Sequence, residues 1–351
     1  MTADLPTSAQ PSDCTGKPPH ALERPPANDT LAVEAQGLVK TFGTNRAVDG
    51  IDLVVHEREI FGVLGPNGAG KTTMLQMLAT LLPIEGGTAS IFGYDVGRQP
   101  HAVRQLIGVT GQYASVDGLL TGRENLRLFG RLQGLSWKEA RSIGDELLEQ
   151  FDLIEAADRY VRHYSGGMRR RLDLAASLMT RPALIFLDEP TTGLDPRTRG
   201  RMWATIRALV ADGCTILLTT QYLDEADQLA DRIAVIDRGR KVAEGTSAEL
   251  KTQVGGSSLR VQLDNGADAP LAMAVAGEVA SRVPILFAAG NGFSVSLTDA
   301  NLAADVLIAL RQGGMDIVNA AIEQPTLDEV FMALTGRPGA TSSPDPEANA
   351  A

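Results

Sequence analysis

Between residue 31 and about residue 250 the chain alternates short apolar runs with longer stretches whose apolar residues recur at helical spacing. The runs at 31–35, 51–55, 60–64, 90–92, 106–109, 183–187, 215–219 and 233–236 are the expected strands. Strands alternating with helices predict an α/β domain with a largely parallel sheet. Residues 113–168 break the alternation; they are helix-rich and strand-poor, and predict a helical insertion. After a Gly/Ser linker at 255–258 the order becomes strand 259–263, helix 271–280, a hairpin of 285–288 and 293–297 around Gly290-Asn291-Gly292, helix 302–310 and strand 317–322. That β-α-β-β-α-β order predicts a small ferredoxin-like α+β domain. A last helix carries Leu327, Val330, Phe331 and Leu334 on one face, so that face must dock somewhere. The expected organisation is a disordered leader (1–28), a nucleotide-binding domain (29–250), an accessory domain (257–336) and a flexible Pro/Ser/Ala-rich tail (337–351).

Composition narrows the class. The chain has 351 residues, 44% of them hydrophobic and 21% charged, which suits a folded globular protein. Its net charge of −11 argues against a broad basic face for nucleic acid, and no nucleic-acid partner is expected. The two cysteines, Cys14 and Cys214, predict no disulfide framework and fit a reducing cytosol. No apolar run reaches the ~18–20 residues of a membrane span, and the N-terminus lacks the pattern of a secretory signal. If the protein acts at a membrane, another chain does the crossing.

The sharpest chemical signal follows the strand at 60–64. Gly65-Pro66-Asn67-Gly68-Ala69-Gly70-Lys71-Thr72-Thr73 runs into an apolar helix, giving G-x-x-x-x-G-K-[ST] between strand and helix. Glycines let the backbone wrap a phosphate with its amide hydrogens pointing inward, and the helix start adds positive potential. Lys71 then reaches the terminal phosphates, and the Thr72 hydroxyl is a Mg²⁺ ligand. A second signal is the apolar run at 183–187 ending in Asp188-Glu189. A buried strand that delivers two carboxylates to its C-terminal edge places them where ligands bind in α/β sheets. Asp188 is the expected metal ligand and Glu189 the expected general base for the attacking water.

A third motif, Tyr164-Ser165-Gly166-Gly167-Met168, precedes a helix with Leu172, Ala175, Ala176 and Met179 on one face. The order of phosphate loop, S-G-G helix start and acidic strand resembles the ATP-binding subunit of ABC transporters over about residues 31–250. The resemblance implies ATP and Mg²⁺ as cofactors and two copies sandwiching two ATP molecules head to tail. It implies that Phe42 stacks on adenine and that Gln112 touches Mg²⁺ and the attacking water. Ser165, Gly166 and Gly167 would bind the γ-phosphate of ATP held by the second copy, and Asp195, in Gly193-Leu194-Asp195, would lie at the subunit interface. Arg169-Arg170-Arg171 are expected to form a solvated helix face.

The pattern departs from the family where a histidine usually follows the strand at 214–219. Here Thr219-Thr220 leads into Gln221, which can donate a hydrogen bond to a phosphate but cannot carry charge. The expectation is that ATP binds and is hydrolysed with Glu189 as base; slowed or switched-off hydrolysis is the alternative. Tyr164 replaces the usual leucine and Met168 the commoner glutamine. Together with Thr-Thr-Gln-Tyr-Leu and Leu327-Asp328-Glu329-Val330-Phe331, these features look like the daunorubicin-resistance-type exporter ATPases. That resemblance implies a peripheral ATPase on the cytosolic side of the membrane, energising separate transmembrane permease subunits that expel a drug or lipid-like substrate. The permease would dock near Gln112 and the helical insertion.

Overall fold

The computed structural model describes residues 31–111, 115–254, 257–287, 290–297, 299, 301–323 and 326–335. In chain order its first part contains β1 (Leu31–Phe42), β2 (Asn45–His56), β3 (Ile60–Leu64), α1 (Lys71–Leu78), β4 (Gly86–Ile91), β5 (Tyr94–Asp95), α2 (Pro100–Leu106) and β6 (Ile107–Thr110). Then come α3 (Gly122–Leu132), α4 (Trp137–Gln150), α5 (Gly166–Ser177), β7 (Leu184–Asp188), α6 (Pro196–Ala211), β8 (Thr215–Thr220), α7 (Leu223–Leu229), β9 (Arg232–Asp237), β10 (Arg240–Gly245) and α8 (Ser247–Val254). The last part holds β11 (Ser258–Leu263), α9 (Ala269–Ala280), β12 (Ile285–Leu286), β13 (Gly292–Ser296), α10 (Leu302–Gln312), β14 (Ile317–Glu323) and α11 (Leu327–Thr335).

The strands expected in one largely parallel sheet divide into two. β10-β9-β3-β8-β7-β6 form a six-stranded sheet, parallel except for the β9–β10 pair. β2-β1-β4-β5 form a separate antiparallel sheet. The division has a local cause: β1 and β2 are joined by a tight turn with Gly43 at φ 59°, which closes a hairpin rather than a crossover. β3, β7 and β8 are buried along their whole length because both faces are covered. The pleat sends Phe61, Val63, Leu184, Phe186 and Leu217 into the core shared with the antiparallel sheet and α1. Ile60, Ile185, Leu187, Ile216 and Leu218 enter the core shared with α3 to α6.

Capping boxes start α3 and α4, Thr121 with Glu124 on α3 and Ser136 with Glu139 on α4. Tyr164, where leucine is usual, is buried and donates its hydroxyl to Ala156 O at 2.8 Å, so the ring anchors the approach to α5. Burial pushes its phenol pKa up.

The last part forms the expected β-α-β-β-α-β unit. Its antiparallel sheet runs β12-β13-β11-β14, with α9 and α10 over a core of Leu259, Val261, Phe293, Val295, Val306 and Leu310. The expected linker glycines Gly255 and Gly256, the 1–28 leader and the 337–351 tail lie outside the described residues. α11 leaves this unit. Leu327, Val330 and Phe331 pack with Leu64, Leu223, Ala226, Ile233, Val235 and Leu250, on the face of β3 and β9 beside α7 and α8.

Candidate nucleotide-binding and hydrolysis site

The phosphate loop hangs between β3 and α1, at the C-terminal edge of the parallel sheet. The backbone dictates two of its glycines. A Cβ on Gly65 would lie 2.3 Å from Ile236 O. Gly70, at φ 103°, would place one 2.2 Å from Ala47 O. Gly68 is left-handed, with φ 79° and open space beyond it. Lys71 opens α1 and is 4% exposed. Its ammonium donates to Gly65 O at 2.8 Å and Pro66 O at 3.1 Å, and lies 3.6 Å from Glu189 Oε1. Burial lowers its pKa, against the opposing pull of Glu189 and Asp188.

Asp188 ends β7 and is buried. Its Oδ1 accepts from Thr72 Oγ1 at 3.1 Å and from Thr219 Oγ1 at 2.6 Å. Hard oxygen donors from Thr72 and Asp188 are therefore joined at one point, a donor set that suits Mg²⁺. Glu189 follows at φ 47°, a left-handed conformation rare for a residue with a side chain. Its N–H donates to Thr219 O at 3.1 Å and Thr219 Oγ1 at 3.2 Å, and its Oε2 accepts from Thr192 Oγ1 at 3.1 Å. The fold thus holds this carboxylate in a conformation that costs about 1–3 kcal/mol.

Gln221 stands between β8 and α7, half-buried, one residue beyond Thr220, whose carbonyl accepts from Gly65 N at 3.3 Å. It is therefore next to the base of the phosphate loop. Phe42 ends β1, 48% exposed, with the Lys40 ammonium 5.5 Å from its ring centre. Gln112 lies outside the described residues; Gly111 and Ser115 flank that gap.

The S-G-G motif forms the start of α5. Ser165 is its N-cap, accepting from Met168 N at 3.2 Å, and Ser165 and Gly166 face solvent. A Cβ on Gly167 would lie 2.5 Å from Thr198 Cγ2, so α5 approaches the start of α6 as closely as glycine permits. Asp195 caps α6, accepting from Thr198 N at 3.0 Å and Thr198 Oγ1 at 2.6 Å. Among the described residues no hydrogen bond joins Ser165–Gly167 to the loop 65–73. The structure gathers Lys71, Thr72, Asp188, Glu189 and Gln221 at one sheet edge and presents Ser165, Gly166 and Asp195 outward.

Three features escaped the sequence. Thr219, fully buried, links Asp188 and Glu189; its signal was a hydroxyl at the end of the strand beside the acidic one. Glu225 on α7 is fully buried and its Oε1 accepts from Thr191 Oγ1 at 2.7 Å and Trp203 Nε1 at 3.1 Å. Burial raises its pKa, against the hydroxyls of Thr220 and Thr191 and the Trp203 indole. The third is a correction to the arginine run. Arg169 is exposed, but Arg171 donates to Phe151 O at 2.7 Å, and Arg170 turns inward onto backbone carbonyls. A guanidinium can bury its stem and satisfy its donors on carbonyls, so consecutive arginines on a helix need not share one solvated face.

A phosphate loop, a carboxylate pair at the end of a strand in the same sheet and a serine-capped helix facing out define a P-loop ATPase of the ATP-binding-cassette class. Comparison with known proteins places it further. The family model described as ABC transporter matches residues 48–192, and that of the ATP-binding protein DrrA1-3-like C-terminal domain matches residues 245–335. The daunorubicin/doxorubicin resistance ATP-binding protein DrrA of Streptomyces peucetius is 52% identical over 310 residues, covering 88% of this chain and 94% of that one. The daunorubicin resistance ATP-binding protein DrrA2 of Streptomyces coeruleorubidus is 51% identical over 309 residues, covering 88% and 96%. Among solved structures, an ATP-binding subunit of an ABC transporter superposes with a TM-score of 0.58 at 28% identity, covering 63% of this chain and 92% of that one. A dimeric cassette in a post-hydrolysis state, bound to ADP and Pi, superposes with a TM-score of 0.57 at 26% identity, covering 61% and 98%. The chain belongs to the ATP-binding subunits of ABC transporters, in the daunorubicin-resistance group. It binds ATP and is an ATPase.

Proposed function

We propose that this chain energises the export of a drug or lipid-like substrate, held on the cytosolic side of a membrane by separate transmembrane permease subunits. Among the described residues no helix is long and apolar enough to cross a membrane. Relatives named for daunorubicin resistance support the cargo class, and a more distant one from Ralstonia nicotianae, 38% identical over 320 residues, is named for Nod factor export. Leu119, Leu132 and Trp137 each stand at least 70% exposed on the 113–168 region, apolar side chains open to a membrane subunit.

Two copies close on two ATP molecules. In each site Gly65, Pro66, Asn67, Gly68, Ala69, Gly70, Lys71, Thr72 and Thr73 cradle the phosphates, and Phe42 stacks on the base. Ser165, Gly166 and Gly167 of the other copy cover the γ-phosphate, with Asp195 at the seam. Thr72 and Asp188, with Gln112, would hold Mg²⁺, which neutralises phosphate charge when bound. Glu189 takes the proton of the attacking water, and Gln221 donates to the γ-phosphate in place of a histidine.

The observation that carries this reading is the Lys71–Asp188–Glu189 cluster, buried within one chain while the serine-capped start of α5 faces out. A donor set complete on one side only calls for a second copy. The test is Glu189→Gln: with ATP, phosphate release stops and the protein persists as an ATP-loaded dimer in light scattering. A variant that stays monomeric at saturating ATP, even with its permease, overturns the clamp.

A further inference from the structure

Arg170 makes contacts that nucleotide binding does not require. Its side chain is 12% exposed. Nε donates to Pro190 O at 3.1 Å, and Nη2 to Asp188 O at 2.9 Å and Glu189 O at 3.3 Å. Nη1 donates to Gly111 O at 2.5 Å. One helical turn on, Asp173 is 3% exposed in its side chain and lies 3.6 Å from Nη1 through Oδ2. Its Oδ1 accepts from Ser115 N at 2.6 Å. Arg170 therefore grips three consecutive carbonyls of the turn that carries Asp188 and Glu189. The Arg170–Asp173 pair also holds Gly111 O and Ser115 N.

All of this is anchored on α5, whose first turn is capped by Ser165. At 1.5 Å per residue, Arg170 sits about 7.5 Å along the axis from that cap. A helix is stiff over this length, so a displacement at its start is delivered to the carbonyls that Arg170 holds. The turn at Glu189 has the most to lose from such a shift, since its left-handed backbone survives only while its surroundings fix it. The planar fork of arginine can bind several carbonyls at once; an ammonium cannot reproduce that geometry.

We propose that Arg170, paired with Asp173, is a positioning residue that couples the two nucleotide sites of the dimer, passing the engagement of Ser165 with one ATP to Glu189 of the other site. The proposal rests on the reading of Ser165 as a ligand for ATP held by the partner copy. It accounts for an inward-turned arginine five residues beyond a solvent-facing serine. It also gives the α5 helix a task at both ends.

The experiment uses the full-length chain and its Arg170→Lys, Arg170→Gln, Asp173→Asn and Ser165→Ala variants. Fluorescent-ATP titration, phosphate release against ATP concentration and thermal melting are measured on each. For Arg170→Lys and Arg170→Gln the expected result is nucleotide affinity within about threefold of the parent and kcat lower by about 10²-fold, the scale of a small misplacement of catalytic groups. The Hill coefficient for ATP should fall from near the two-site limit of about 2 toward about 1. Asp173→Asn should move the same quantities in the same direction by less. A rate restored by lysine would show that charge alone suffices and would overturn the proposal. So would a fall in rate that merely tracks a fall in folded fraction, or a Hill coefficient unchanged in every Arg170 and Asp173 variant. If Arg170→Gln does not fold, Arg170→Lys and Asp173→Asn decide the matter by the same criteria. Ser165→Ala separates the two ideas. If it leaves rate and cooperativity intact, the partner-ATP reading fails. If it lowers both while the Arg170 variants do not, the coupling fails and the dimer stands.

Discussion

At the residue scale, the site works by burial and by a few hydroxyls. Thr219 and Thr72 converge on one oxygen of Asp188, and Thr192 on one oxygen of Glu189, so both carboxylates have fixed directions. Gln221 stands beside this set but brings no charge. Restoring a histidine tests its part: Gln221→Ala should lower phosphate release by about 10²–10³-fold, the loss expected on removing one preorganised donor, while Gln221→His should match or exceed the parent. Equal rates in all three proteins would place Gln221 away from the phosphate. Glu225 offers a prediction in pH. Burial raises its folded pKa, so its contribution to stability is fully present below the unfolded carboxylate value and is lost as pH rises through the folded one. Glu225→Gln keeps an acceptor for Thr191 and Trp203 without that loss. Its melting temperature should gain on the parent as pH rises above about 4.5, the ordinary carboxylate value. A constant difference across that rise would mean that the carboxyl does not titrate with folding.

At the element scale, α11 matters most. The periodic face read from the sequence packs on the cassette of its own chain, against Leu64 at the end of β3 and Leu223 and Ala226 on α7. It is buried there and is therefore not available as a dimer surface. Both contacts border the site: Leu64 precedes Gly65, and Leu223 follows Gln221 by two residues. Phe331, 3% exposed, should cost about 3–5 kcal/mol on substitution by alanine, through lost burial and the cavity left behind. Chemical denaturation of Phe331→Ala would measure this; a loss under about 1 kcal/mol would mean that α11 is only loosely seated.

At the scale of the whole molecule, the described residues form three sheets with three tasks. The parallel sheet aligns the phosphate loop with Asp188, the antiparallel sheet backs that loop where Ala47 O meets Gly70, and the C-terminal unit sends α11 back onto β3, β9, α7 and α8. Deleting residues 257–351 would uncover the apolar surface beneath α11. The truncated chain should melt lower than the parent and associate without ATP, as exposed apolar patches do. Sedimentation of a truncated chain that stays monomeric and melts with the parent would show that the cassette does not need this cover.

The sequence by itself determined the parts whose chemistry is local. Gly65 through Thr73 sits on consecutive residues, the carboxylates end an unbroken apolar strand, and Ser165 announces a helix start, so loop, edge and cap were legible without a fold. The C-terminal element order was legible too, because its helices and strands carry clean periodicity. Tertiary structure decided what depends on partners distant in the chain. Nothing near residue 170 says that its side chain will find carbonyls at 111, 188, 189 and 190. Nothing near residue 327 names the surface that α11 covers, and apolar runs alone did not show that the strands divide into two sheets. Periodicity reports that a face must be buried; only the assembled chain says against what, because burial is a property of neighbours and not of the residue that is buried.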